Sequence, residues 1–144
     1  MVEDNSSDVE LTRRAFQRGR IANALVVVED GQDALNYLFG EANYAGRDPS
    51  DLPALMLLDL KLPKLDGLEV LRRLRADPRT RRLPVVILTS SNEDRDVAAS
   101  YDLGVNSYIR KPVDFNEFSE AMIQMGFYWL VLNERPPAVK PPVN

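Results

Sequence analysis

The sequence predicts a doubly wound α/β fold built on a parallel sheet. Three observations carry that prediction. Short apolar, β-branched runs alternate with segments of helical periodicity along the chain. The run Ala54-Leu55-Met56-Leu57-Leu58 lacks polar alternation, as a strand buried on both faces requires. Four apolar runs each stop at a reactive group: Met1-Val2 before Glu3-Asp4, the third run before Asp59, Val85-Val86-Ile87-Leu88 before Thr89, and Tyr108-Ile109 before Arg110-Lys111. Chemistry in open parallel sheets collects outside the carboxyl ends of strands.

The elements follow in order. Met1-Val2 opens the first strand, and two residues are short against a usual length of about 5–6. The expectation is that this strand begins upstream. Asn5-Ser6-Ser7-Asp8 is rich in N-cap residues and precedes a helical face of Val9, Leu11, Thr12, Ala15 and Phe16, closed by Gly19. Leu25-Val26-Val27-Val28 is the second strand. Asp30-Gly31 turns into a helix carrying Ala34, Leu35, Tyr37, Leu38 and Phe39. Glu41 to Pro53 is a long polar loop.

After the third strand, Pro63 to Gly67 is a loop. Leu68, Val70, Leu71 and Leu74 then form a helical stripe with Arg72, Arg73 and Arg75 outside it, stopped by Asp77-Pro78. Pro84 opens strand four. Glu93-Asp94-Arg95-Asp96 places acid at the start of a fourth helix, where the helix dipole favours it. Ser107 to Arg110 is strand five. Asp114 caps a last helix with Phe115, Phe118, Met122 and Met125 inward, running on through Gly126 to Leu132. Five strands and five helices in alternation imply right-handed crossovers and one domain over residues 1–132. A proline-rich arm, extended in character, occupies 133–144.

Composition narrows the function. The 144 residues carry a net charge of −4, so no general basic field favours nucleic acid. Cysteine and histidine are both absent, which removes disulfides, thiol catalysis, imidazole zinc sites and a phosphohistidine of the chain's own. No stretch is apolar enough to span a bilayer and no secretory signal opens the chain, so the expected setting is cytoplasmic, away from membrane.

Glu3, Asp4 and Asp59 are expected at neighbouring strand ends. Two unit charges about 4 Å apart repel by about 4 kcal/mol at an effective dielectric near 20, and a divalent cation removes that cost. An all-oxygen site selects Mg²⁺ or Mn²⁺. With the Thr89 hydroxyl and the Lys111 ammonium at the same edge, the set suggests a Mg²⁺-assisted phosphoryl acceptor.

Val2-Glu3-Asp4-Asn5, Leu57-Leu58-Asp59-Leu60, Leu62-Pro63-Lys64-Leu65-Asp66-Gly67, Leu88-Thr89-Ser90 and Tyr108-Ile109-Arg110-Lys111-Pro112 together resemble the receiver domain of two-component response regulators. The resemblance covers nearly the whole chain in motif order. It implies a flavodoxin-like, three-layer α/β/α fold with strand order 2-1-3-4-5, the order of that family's chemotaxis relative. It implies that Asp59 is the phosphoacceptor, that Glu3, Asp4, Asp59 and the Lys61 backbone carbonyl hold the metal, and that Thr89 and Lys111 contact the phosphoryl group. Thr89 and Tyr108 would form a conformational switch, and the Lys111–Pro112 bond would be cis. In the family the positions of Lys61 and Ser91 flank the path of the attacking water.

A fused output domain would need roughly another 100 residues; the chain reads as a stand-alone regulator or a fragment. The partner implied is a sensor histidine kinase. The long 41–53 loop, Ser100 to Gly104 and the aromatic end Phe127-Tyr128-Trp129-Leu130 resemble regulators paired with bacterial and cyanobacterial phytochromes. That apolar end exceeds what one core can bury, so Phe127, Tyr128, Trp129 and Leu130 are expected at a homodimer interface. The enzyme alternatives fit less well. A dehalogenase-like phosphatase wants a second Asp two residues after Asp59, where Lys61 stands. A flavodoxin wants a Ser/Thr/Gly phosphate loop where Glu3-Asp4-Asn5 stands. The protein reads as a signalling acceptor, not an enzyme.

Overall fold

The computed structural model describes residues 1–137, which leaves Pro141 and Pro142 of the arm outside the described residues. Three strands, β1 (Met56–Leu58), β2 (Val85–Thr89) and β3 (Ser107–Arg110), pair in parallel in that order. Five helices surround them: α1 (Ser6–Arg18), α2 (Gly31–Phe39), α3 (Gly67–Ala76), α4 (Asp94–Asp102) and α5 (Phe115–Phe127).

The sheet extends beyond β1 through single rungs. Val2 bridges in parallel to Leu58 on one side and to Val28 on the other. The spatial order is therefore Val28, Val2, β1, β2, β3, which is the expected 2-1-3-4-5. At these rungs the Glu3 amide donates to the Val28 carbonyl, and the Val28 amide to the Met1 carbonyl. The Met1 ammonium donates to the Val26 carbonyl at 2.8 Å. Beyond it lies a groove of about 210 Å³ bordered by Leu25, Val26, Tyr37, Leu55 and Leu130.

Side chains alternate across the sheet and fill a core on each face. Val2, Met56, Leu58, Val85 and Ile87 point to one face, where α2 and α3 contribute Leu35, Leu38, Val70, Leu71 and Leu74. Leu57, Val86 and Leu88 point to the other, under Ala15 and Phe16 of α1 and Phe118, Met122 and Met125 of α5. All five residues of β2 are buried. Burying an aliphatic side chain is worth about 1.5–3 kcal/mol, so this central strand anchors the sheet.

Caps place the helices. Asn5 accepts from the Ser7 and Asp8 amides, Asp30 from Asp33, Asp66 from Glu69 and Asp114 from Glu117. At Gly67, the start of α3, a Cβ would lie 2.2 Å from the Asp59 carbonyl oxygen. Only glycine lets this helix sit against the strand end that carries Asp59.

Arg75 departs from the expected solvated stripe. It is half-buried, and its guanidinium donates to the carbonyls of Leu83 (2.8 Å), Arg81 (3.0 Å) and Gly104 (3.0 Å) and to the Asn106 side chain (3.1 Å). Burial holds its pKa below the usual value. A planar fork of donors satisfies several carbonyls at once, which an ammonium could not do.

The C-terminal run divides. Residues Tyr128–Leu132 form a π-turn extending α5. Trp129 and Leu130 pack back on the α1/α5 side of the core. Phe127, Tyr128, Val131 and Leu132 are 51%, 50%, 60% and 61% exposed. Of the four residues expected to form one surface, Phe127 and Tyr128 are exposed and Trp129 and Leu130 partly buried, and the Tyr128 and Trp129 rings meet edge to face at 5.1 Å. Among the described residues no helix is long and apolar enough to cross a membrane.

Candidate functional site at the carboxyl edge of the sheet

The carboxyl ends of the strands bring Glu3, Asp4, Asp59, Thr89 and Lys111 together. Glu3 and Asp59 are buried, at 2% and 7% exposure, and Asp4 is open to solvent. One carboxylate oxygen from each of Glu3, Asp4 and Asp59 lies within 4.8 Å of the others. Mg²⁺ holds its oxygens at about 2.0–2.1 Å, so neighbouring ligands sit about 3 Å apart and opposite ones about 4 Å. Small side-chain rotations would close this set on such an ion, and its hard oxygen donors suit Mg²⁺ or Mn²⁺.

Lys111 lies at the centre of the charge. Its ammonium donates to Asp59 Oδ2 at 3.0 Å, lies 2.8 Å from Asp8 Oδ2, and makes a short bond to Glu3. The Lys111 amide is fixed to the Thr89 carbonyl at 2.7 Å, which ties this lysine to the end of β2. Burial alone would lower the Lys111 pKa, but Asp8, Glu3 and Asp59 overcome it and drive the value up. The Lys111–Pro112 bond is not cis: no described peptide bond is. The resemblance implied a cis bond to aim the lysine. Here the trans form, the lower-energy isomer of an X–Pro bond, already carries the ammonium to all three carboxylates.

The carboxylates differ in protonation. Burial, reinforced by the Asp59 charge, pushes Glu3 up to about 7 against the pull of Lys111. Asp59 moves the other way. Burial opposes its ionisation, but the Thr89 hydroxyl, Lys111 and the Lys61 amide outweigh that and hold its carboxyl below the ordinary range. The balance at Asp59 thus favours the carboxylate over the acid.

The remaining expected residues surround this centre. Lys61 donates its amide to Asp59 Oδ1 at 3.2 Å, while its side chain reaches solvent. Thr89 is fully buried. Tyr108 packs its ring against the core, and its hydroxyl donates to the Ser91 carbonyl at 2.9 Å. Arg110 points to solvent. Ser91 donates its hydroxyl to Asp96 at 2.6 Å and accepts weakly from the Glu93 amide. An open groove of about 430 Å³ lies beside the site, lined by Asp4, Leu60, Lys61, Pro63, Asp66 and Asp96.

Sequence reasoning missed two members. Asp8 reads as part of a capping cluster, yet it faces the Lys111 ammonium at 2.8 Å. Asp96 reads as a dipole-favoured surface acid, yet it is only 9% exposed. Nothing local in the sequence marks either as part of the site.

The receiver-domain model of response regulators matches residues 1–123. The phosphorylated cyanobacterial phytochrome response regulator RcpA superposes with a TM-score of 0.87 at 38% identity, covering 94% of this chain and 95% of that one. The Mn²⁺-bound form of response regulator Rcp1 also superposes with a TM-score of 0.87. Rcp1 of Synechocystis sp. is 36% identical over 130 residues, 90% of this chain and 86% of the relative. The bacteriophytochrome response regulator RtBRR is 50% identical with a TM-score of 0.74, covering 94% of this chain and 81% of its own. The motif order, the acidic pocket closed by Lys111 and these matches converge: the chain belongs to the response regulator receiver family.

Proposed function

We propose that Asp59 accepts a phosphoryl group from the phosphohistidine of a sensor histidine kinase and that the chain signals through the resulting change of shape. The observation that supports this most directly is a buried Asp59 within 3.0 Å of the Lys111 ammonium. A carboxylate oxygen of Asp59 attacks phosphorus, the P–N bond breaks, and its electron pair leaves with the partner's imidazole. Lys111 and the Thr89 hydroxyl receive the phosphoryl oxygens as charge shifts toward them. Glu3, Asp4, Asp59 and the Lys61 carbonyl are the residues that would hold Mg²⁺ or Mn²⁺. The metal supplies charge neutralisation in the transferring group. Thr89 and Tyr108 carry the switch: a hydroxyl drawn to the phosphoryl group leaves space into which the tyrosine ring moves.

The kinase we favour is a phytochrome, because regulators described as phytochrome-linked match nearly the full length of this chain. The setting is then the cytoplasm. A second copy of the chain is the other partner. Phe127, Tyr128, Val131 and Leu132 leave apolar area in water beside α5, and such area commonly marks an interface.

Incubation with acetyl phosphate and Mg²⁺, followed by intact mass, tests the acceptor. A phosphoryl adduct is expected on the wild type and none on Asp59→Asn. An adduct on both variants moves the acceptor elsewhere. Phosphotransfer from a phytochrome kinase, with the same variant as control, tests the partner.

A further inference from the structure

Asp96 is a buried acid with no place in the acceptor chemistry. It stands in the first turn of α4, accepts the Ser91 hydroxyl at 2.6 Å, and lies 4.0 Å from the Lys61 ammonium. Both of these residues are tied to the acceptor site through their backbone amides. Lys61 gives Asp59 its amide at 3.2 Å, and the Ser91 amide points to the Thr89 hydroxyl at 3.5 Å. The Ser91 carbonyl in turn receives the Tyr108 hydroxyl. One carboxylate therefore engages two donors at the rim of the site and, through Ser91, fixes the loop that holds the tyrosine inward.

We propose that Asp96 is a positioning residue: a resident anion that occupies the Ser91 hydroxyl and the Lys61 ammonium until a phosphoryl group on Asp59 competes for them. The inference rests on the phosphoacceptor reading. A phosphoryl group on Asp59 offers oxygens of greater charge than a carboxylate. Both donors have the freedom to turn away from Asp96: Lys61 is a long, solvated side chain on the groove wall, and Ser91 rotates about a single bond. Once they turn, Asp96 is left with unmatched charge at the start of α4 and the 90–93 loop loses its anchor. The Ser91 carbonyl then moves away from Tyr108. Asp96 thus sets how much of the phosphoryl group's binding is spent on breaking the resting arrangement.

Beryllofluoride with Mg²⁺ is the probe, read by titration and by the ring resonances of ¹³C-labelled tyrosine. Removing a competing charge-assisted hydrogen bond should tighten beryllofluoride binding by about tenfold in Asp96→Ala. Asp96→Asn keeps the volume and an acceptor for Ser91 but loses the charge facing Lys61, so it should gain roughly threefold. A variant that merely loosened the fold would weaken binding, so the sign separates the two roles. In Asp96→Ala the Tyr108 resonances of the unliganded protein should already move toward their beryllofluoride-bound positions. In a Lys61→Ala, Ser91→Ala background the Asp96 substitutions should add nothing. Equal affinity of wild type and both Asp96 variants overturns the inference, as does an undiminished gain in that background. A wild type that takes up neither beryllofluoride nor phosphoryl group overturns the acceptor reading itself.

Discussion

Replacing Lys111 with methionine removes the cation that three carboxylates share and keeps the volume of the stem. Lys111 lies 3.0 Å from Asp59 and 2.8 Å from Asp8, and it also bonds Glu3. Breaking a buried pair by deleting one partner costs about 3–5 kcal/mol, because the other charge is left without compensation. Two of the stranded groups, Glu3 and Asp59, are almost fully buried. The loss should therefore reach that range at pH 8 without metal. Its pH dependence has a definite sign. Glu3 already titrates near 7 in the folded protein, and loss of the lysine drives it higher. A carboxyl whose folded pKa is raised contributes stability that is full below its unfolded value. That stability is lost as pH rises through the folded value. The difference between Lys111→Met and wild type should thus shrink at pH 5.5, where Glu3 is neutral in both, while the share owed to the Asp59 charge remains. Millimolar Mg²⁺ at pH 8 should recover part of it, since the metal replaces the missing positive charge. Urea titrations followed by circular dichroism at both pH values measure this. A loss of equal size at pH 5.5 and pH 8, or none at either, would refute the charge balance described for the pocket.

Gly67→Ala should cost about 2–4 kcal/mol and weaken metal binding, because its Cβ meets the backbone of Asp59 and Leu60 at 2.2 and 2.8 Å; thermal melts with and without Mg²⁺ read both effects. Joining Val-Ile to the Met1 nitrogen should raise stability by about 1 kcal/mol per added strand hydrogen bond. The Met1 ammonium, desolvated by burial and repelled by Arg13, titrates near 6. As a base with a depressed folded pKa, it loses stability as pH falls through that value. The advantage of the extended chain should therefore widen between pH 8 and pH 6. Sedimentation of the wild type against Phe127→Ser, Val131→Ser should show a dimer only for the former. Monomers for both would remove the second copy from the functional reading.

Much of the site was legible because parallel strands must end somewhere, and the residues just past each apolar run meet at one edge whatever the loops do. Glu3, Asp4, Asp59, Thr89 and Lys111 are such residues. The caps at Asn5, Asp30, Asp66 and Asp114 were legible for a local reason: a side chain that closes on an amide two or three residues later leaves its mark in a short window. What escaped depends on contacts distant in sequence. The Asp8 link to Lys111 joins the start of α1 to the residue after β3. Arg75 reads as solvated by its stripe and is half-buried because the carbonyls of Leu83 and Gly104 happen to lie beneath it. The split of the aromatic end, with Trp129 inward and Tyr128 outward, follows from a π-turn that a 3.6-residue period does not describe. The two outer strands shrink to single rungs because a strand is defined by its neighbour as much as by its own residues.

The Arg75 clasp has a mechanical consequence. It grips the segments that lead into β2 and β3, at the amino ends of the strands, through five neutral acceptors whose attraction is little affected by a charge arriving at the far end. At the opposite edge of the sheet, Lys111 holds the end of β3 to the carboxylates of Glu3, Asp8 and Asp59 by charge attraction, which an added anion or cation rewrites. The protein is therefore built like a fan riveted at its base. Chemistry at the open rim can spread or draw in the 90–93 loop and α4 while the strands keep their register underneath.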